Sequence, residues 1–372
     1  MPLVDAFGRG INYLRISITD ECSLRCVYCR PMRQAGEKPG ADQVSGARQM
    51  PLPRAVTPLL PYQQLLTVAR AAAGVGFTHF RITGGEPLVR PGVVDFVQEM
   101  ARIPGVKDLS MSTNGLALAR LAEPLTRAGL RRVNISFDSL RPERFRLITR
   151  GGNLRAVWNG IRAALAAGLR PVKLNMVVLR GINDDEVAHM ARLTLSYPFD
   201  IRFIELMPLG PYYRDQPHRF VSAREVQTRL AAAGLTLVPA RTAPPETPPP
   251  PALPQAAHAE PTAPTHARPE DAGPARYYRL PGAVGRVGFI TAMSDHFCGE
   301  CNRIRLAADG KLYPCLADTG AVDLRPALDA GADQDEIARL IIRAVMSKPM
   351  HHHMHDYAER DYSWREMSRV GG

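Results

Sequence analysis

Lysine is nearly missing from this chain. Five of its 47 basic residues are lysine (Lys38, Lys107, Lys173, Lys311 and Lys348), so guanidinium groups carry almost all of the formal charge of +11. No dense basic tract gathers those arginines. That weakens a nucleic-acid reading and favours solvated arginines with a few that bind anions. No apolar run reaches the length of a membrane span, and the segment Met1 to Arg9 has no apolar core of signal-peptide type. The expectation is a cytoplasmic protein that meets neither membrane nor nucleic acid, in a compartment where cysteines serve as ligands rather than in disulfides. No G-x-x-x-x-G-K-S/T loop occurs, so a nucleotide would be held by scattered cations.

Cysteine is also missing outside two triplets: Cys22, Cys26 and Cys29, spaced C-x3-C-x2-C, and Cys298, Cys301 and Cys315, spaced C-x2-C-x13-C. Three thiolates are one short of the set that usually holds a cubane iron–sulfur cluster, which leaves one iron open for something other than protein. A zinc knuckle would want a fourth Cys or His close by, and the first triplet has none. At the second triplet His296 supplies one, so a Cys3His zinc site stays open there, as part of a zinc-containing nucleic-acid-binding module. The run Met350-His351-His352-His353-Met354-His355 is expected to be solvated and only adventitiously metal-binding.

Six strand-like segments (Tyr13–Thr19, His79–Thr83, Asp108–Thr113, Arg132–Asp138, Val172–Leu179 and Ile201–Met207) alternate with stretches of helical periodicity at Tyr62–Val75, Val93–Ile103, Leu116–Ala128, Leu154–Ala167 and Asp184–Ser196. Repeated strand–helix units argue for an α/β fold with an incomplete (β/α)6 TIM-like barrel over residues 1–240, working at the C-terminal ends of its strands. Residues 241–276 are proline-rich and read as a linker or disordered loop, and Arg33–Pro58 reads as a loop-like insert. Residues 277–372, with strands at Tyr277–Leu280, Arg286–Thr291 and Arg303–Leu306 and a helix near Asp335–Met346, form a small C-terminal α+β module that carries the second triplet.

The first triplet, with Tyr28 before its last cysteine, and Arg81-Ile82-Thr83-Gly84-Gly85-Glu86-Pro87 at the end of the next strand resemble the radical S-adenosylmethionine (SAM) enzymes. Phe297-Cys298-Gly299-Glu300-Cys301-Asn302-Arg303-Ile304-Arg305 and the terminal Gly371-Gly372 are similar to one branch of them, the GTP 3′,8-cyclases that begin molybdenum cofactor synthesis. Ser112–Gly115, Asn134–Asp138, Gly181–Asp184 and Arg202–Glu205 extend that resemblance along nearly the whole chain.

The resemblance implies two 4Fe–4S clusters, held by Cys22, Cys26 and Cys29 and by Cys298, Cys301 and Cys315, with SAM on the first and guanine on the second. The implied reaction takes hydrogen from ribose C3′ and joins that carbon to guanine C8, giving (8S)-3′,8-cyclo-7,8-dihydroguanosine 5′-triphosphate. Carried over, Tyr28, Gly85, Glu86, Ser136 and Met207 would bind SAM. Arg15, Arg81, Ser112, Lys173, Arg303 and Arg305 would face GTP, and Arg15, Arg81, Gly371 and Gly372 would take part in catalysis. It also implies an electron donor such as flavodoxin or ferredoxin, a downstream cyclic pyranopterin monophosphate synthase and a homodimer. A peptide- or RNA-modifying radical SAM enzyme with an auxiliary second cluster is the alternative.

Overall fold

The computed structural model describes residues 3–29, 58–209, 211–240, 273–318 and 320–354. The insert after the first triplet and the proline-rich stretch, apart from their margins, lie outside the described residues, as do His355 and the terminal Gly371-Gly372 pair.

Eight parallel strands make the frame: β1 (Tyr13–Ser17), β2 (His79–Thr83), β3 (Asp108–Thr113), β4 (Arg132–Ser136), β5 (Val172–Val178), β6 (Phe199–Glu205), β7 (Arg286–Ile290) and β8 (Arg303–Leu306). The first six lie side by side in sequence order, with helices between them, as the apolar periodicity predicts. The last two take opposite edges. β7 pairs with β6, and β8 pairs with β1, in register Arg303 with Tyr13 and Arg305 with Arg15. Beyond them the sheet continues with antiparallel strands, Arg276–Arg279 against β7 and Lys311–Tyr313 against β8. The C-terminal residues therefore build onto both edges of the barrel sheet, and their first strand begins at Arg276, inside the stretch expected to be linker. The chain from β7 to β8, which carries Cys298 and Cys301, links the two edge strands across the opening that the sheet leaves.

β1 and β2 are buried along their whole length yet alternate, with Leu14, Ile16, Phe80 and Ile82 on one face and Arg15 and Arg81 on the other. The outward faces pack under the helices. In α1 (Leu154–Ala166), the Asn153 side chain accepts from Ala156 N at 3.2 Å at the N-terminus, and Val157, Ile161 and Ala164 present one buried stripe. Gly168, at φ +83°, turns the chain out of that helix into β5. Each fully buried Leu or Ile in this layer contributes roughly 1.5–3 kcal/mol, so the wall can carry a polar interior.

That interior is layered. Near its floor Arg132 pairs with Asp108 and Arg286 forks onto Asp200 at 2.8 and 2.6 Å. One layer up, the strands present Arg15, Arg81, Ser112, Asn134, Asn175, Arg202 and Arg305 to a cavity at their C-terminal ends.

Candidate active site

Both cysteine triplets line this one cavity. Among the described residues all six cysteines are free thiols. The first triplet sits on the loop that follows β1. Burial, Asp138 and the neighbouring thiols Cys29 and Cys22 push the Cys26 thiol well above its ordinary range. A thiol held neutral in this way is suited to a cationic iron centre, which would reverse that penalty. Leu24 N, 3.4 Å from Cys22 Sγ, and Asn114 Nδ2, at 3.9 Å, supply donors around the sulfur, and Asn114 also reaches Ser23 Oγ at 3.0 Å. At the second triplet burial, with Cys315 and Cys301 nearby, raises Cys298. Burial would raise Cys301 too, yet Arg303 and Lys348 outweigh it and bring that thiol down to about 6. Lys348 is fixed there by the carbonyls of Arg303 and Pro314, at 2.9 and 2.8 Å. Both donor sets fit thiolate-held clusters.

The glycines after β2 line the cavity, and Gly85 also permits a close backbone contact. A Cβ on Gly85 would stand 2.2 Å from the Glu21 carbonyl oxygen, so the glycine exists to let β2 dock on the cysteine loop. Gly85 N donates to Thr19 O and Glu86 N to Glu21 O, both at 2.7 Å. Glu86 was expected to meet a SAM ammonium group. Its carboxylate instead accepts from Asn114 N at 2.6 Å, Thr113 Oγ1 at 2.7 Å and Leu88 N at 3.1 Å, and the residue is absent from the cavity lining. Burial pushes it up to about 7 even against those three donors.

Tyr28, Gly85, Ser136 and Met207 all line the cavity. Asp138, which motif reading passed over, accepts from Tyr28 Oη at 2.6 Å and from Val177 N at 2.9 Å, and burial raises it to about 6.

Of the residues expected to face GTP, Arg15, Arg81, Ser112, Arg303 and Arg305 line the cavity and Lys173 does not. Lys173 shares a face of β5 with Asn175 and Val177 but lies deeper. It is 1% exposed, with its ammonium 5.9 Å from the Tyr277 ring centre. Arg305 is buried, and it and Arg303 both line the cavity. Strand register puts Arg305 beside Arg15 and Arg15 beside Arg81, three guanidinium groups in one row. Burial and this mutual repulsion hold Arg15 well below the usual arginine range. Burial lowers Arg81 to about 10 and, with Arg303 adding to it, Arg305 to about 9. Arg81 and Arg305 remain protonated at neutral pH.

Arg202, Lys348 and His352 also join the lining, although sequence assigned none of them to the site and expected His352 to be solvated. Arg202 is braced by Asn175 Oδ1, at 2.8 Å, and by Asn134 Oδ1. His352 is drawn into the wall, where its Nε2 meets Ala292 O at 2.8 Å. Glu205 accepts from Ala223 N, Met293 N and Ser294 N at 2.8–2.9 Å, which ties β6 to the chain leading to the second triplet.

Residues 16–194 match the Radical SAM superfamily model and residues 255–354 the Molybdenum Cofactor Synthesis C model. Among curated relatives, proteins named GTP 3′,8-cyclase are similar along their whole length. The Pelotomaculum thermopropionicum protein is 46% identical over 99% of both chains, that of Heliobacterium modesticaldum 45% over 100% of both, and that of Moorella thermoacetica 46% over 99% of both. Among the described residues no helix is long and apolar enough to cross a membrane.

Proposed function

The chain belongs to the GTP 3′,8-cyclase family of radical SAM enzymes, and we propose that it cyclises GTP to (8S)-3′,8-cyclo-7,8-dihydroguanosine 5′-triphosphate, the first step of molybdenum cofactor biosynthesis. The observation that carries this is the row Arg305–Arg15–Arg81 in the cavity that both triplets line. Like charges held in register are unfavourable alone and favourable around a polyanion. A triphosphate meets that demand without a phosphate-binding loop.

The family's cluster and SAM, when bound at Cys22, Cys26 and Cys29, supply the radical that takes hydrogen from ribose C3′. A second cluster at Cys298, Cys301 and Cys315 belongs to the proposal. The chain's own residues bind and orient. Arg15, Arg81 and Arg305, with Arg303 beside them, take phosphate oxygens as charge-assisted pairs, and Ser112 offers a hydroxyl to the same ligand. Tyr28, Gly85, Ser136 and Met207 form the SAM wall. Asp138 fixes Tyr28, and Glu86 fixes Asn114 behind the cysteine loop. Lys173 supports the floor rather than touching substrate, and Gly371 and Gly372 are assigned to the radical step by family likeness alone. The same reading includes cytoplasmic location, a flavodoxin or ferredoxin as electron donor, a cyclic pyranopterin monophosphate synthase to take the product, and a homodimer.

Anaerobic reconstitution followed by iron, sulfide and product analysis tests the reading. About eight irons are expected if both cubanes form, with 5′-deoxyadenosine released in step with GTP cyclisation. Turnover on a peptide with none on GTP would reject it.

A further inference from the structure

Among the described residues, one compact group of metal-binding side chains stands apart from the two triplets as sets: His296, Cys298 and His352, whose ligand atoms all lie within 4.8 Å of one another. His296 Nδ1 and His352 Nε2 are 3.0 Å apart, and the rings meet edge to face at 79° with centres 4.4 Å apart. Two ligands on one tetrahedral zinc stand roughly 3.3–3.6 Å from each other, given metal–nitrogen lengths near 2.0 Å and metal–sulfur lengths near 2.3 Å. Ligands on two different irons of a cluster are held further apart by the metal–metal spacing. The three ligand atoms are close enough for a single ion, for which His352 would exchange its contact with Ala292 O or Met354 N.

It is also held in place from behind. Arg9 donates to Cys298 O at 2.8 Å, to Pro349 O at 2.8 Å and to Met350 O at 3.0 Å, while its Nε is paired with buried Asp5 at 2.6 Å. One guanidinium thus fastens the segment that carries His296 and Cys298 to the segment that carries His352. Cys298 is buried, His352 half-buried and His296 exposed, so an ion can enter from the His296 side.

We infer that His296, Cys298 and His352 form a mononuclear site for zinc or a similar borderline ion, which shares Cys298 with the second cysteine triplet so that the ion and a cluster exclude each other. Two imidazoles and one thiolate leave the fourth tetrahedral position to water. This set differs from a Cys3His site, because Cys301 and Cys315 take no part in it. The ion site depends only on these three side chains. Its competition with a cluster rests in addition on the proposed second cluster.

The test uses the full-length, cluster-free chain with Cys22, Cys26 and Cys29 changed to Ala, which removes the first triplet's thiolates. Zinc should bind with one equivalent, and X-ray absorption should show one sulfur and two imidazole nitrogens. Adding Cys301→Ala and Cys315→Ala should leave affinity and ligand set unchanged. His296→Ala or His352→Ala should weaken zinc by more than the roughly 10–100-fold that loss of an outer-shell partner costs. Three sulfurs on the zinc, or affinity indifferent to both histidines, overturns the site whatever the chain catalyses. In a second arm, wild-type chain given zinc before reconstitution should take up about four irons fewer, and His352→Ala should restore them. Unchanged iron uptake in zinc-loaded chain overturns the exclusion and leaves the cyclase reading untouched.

Discussion

One added methyl at Gly85 tests how the cysteine loop is held. The Cβ of Gly85→Ala would lie 2.2 Å from Glu21 O, 2.6 Å from its carbonyl carbon and 2.8 Å from Asp20 O. The closest of these is roughly 1 Å or more inside ordinary contact, and all three atoms are backbone, so no rotamer change relieves them. The two chains must part, and the 2.7 Å hydrogen bonds from Gly85 N to Thr19 O and from Glu86 N to Glu21 O go with the movement. Two such bonds at about 1 kcal/mol each, plus about 1–3 kcal/mol for overpacking, give roughly 3–5 kcal/mol concentrated beside Cys22. The assay is iron and sulfide content after anaerobic reconstitution. Iron should fall by about four per chain, the content of one cubane, and 5′-deoxyadenosine formation should stop. Gly74→Ala, where an added Cβ meets nothing within 4 Å, serves as the control and should be silent. A Gly85→Ala protein with full iron and unchanged SAM cleavage would refute the argument.

Arg303→Ala and Arg305→Ala should each weaken GTP by roughly 10–150-fold, the 1.5–3 kcal/mol of a charge-assisted hydrogen bond, while SAM cleavage without GTP persists. Calorimetric affinities equal to wild type would remove both from the substrate face. Glu86 makes a prediction about pH. Its carboxyl titrates near 7 in the folded chain against an ordinary 4.5, so the folded state holds the proton more tightly. Its stabilising effect is full below about pH 4.5 and is lost as pH rises through 7, a change of about 3 kcal/mol. Glu86→Gln should flatten the pH dependence of the denaturant midpoint of cluster-free chain between pH 5 and 7. A slope identical to wild type would show that Glu86 is not the group responsible.

The six inner strands were readable because each is a short β-branched or apolar-containing segment set between stretches of helical periodicity, and β2 and β3 begin and end where that pattern puts them. The edges were not readable in the same way. β8 pairs with β1 across almost the whole chain, and nothing local in Arg303–Leu306 names so distant a partner. The helix Ala223–Ala232 did have a local sign, the Ser222-x-x-Glu225 capping box, in which Ser222 Oγ and the Glu225 carboxylate satisfy each other's backbone N–H groups. At the site, residue types within motifs were legible but the direction of their side chains was not. Glu86 turns back to Asn114, Lys173 falls one layer short, and Asp138, at the end of a motif already noticed, proves to hold Tyr28. His352 looked like part of a solvated histidine run because its partners, Ala292 and His296, lie about sixty residues away.

The charges inside the barrel are divided by depth, and the division says what the cavity is for. On the floor Arg132 and Arg286 are each forked onto an aspartate, an arrangement that settles a buried cation without a ligand. One layer higher, strand register sets Tyr313, Arg305, Arg15, Arg81 and Ser110 side by side, with no carboxylate among them. The two carboxylates that share the cavity are engaged elsewhere. Asp138 is held by Tyr28 and Val177, and Glu205 by the backbone of Ala223, Met293 and Ser294. Depressing Arg81 to about 10 and Arg305 to about 9 costs the folded chain several kcal/mol at neutral pH, on the order of 1.4 per unit. A fold that neutralises its floor and leaves the layer above positively charged is less stable empty than it would be with acids there. An anion with several negative groups in the cavity would offset part of that cost, less its own desolvation.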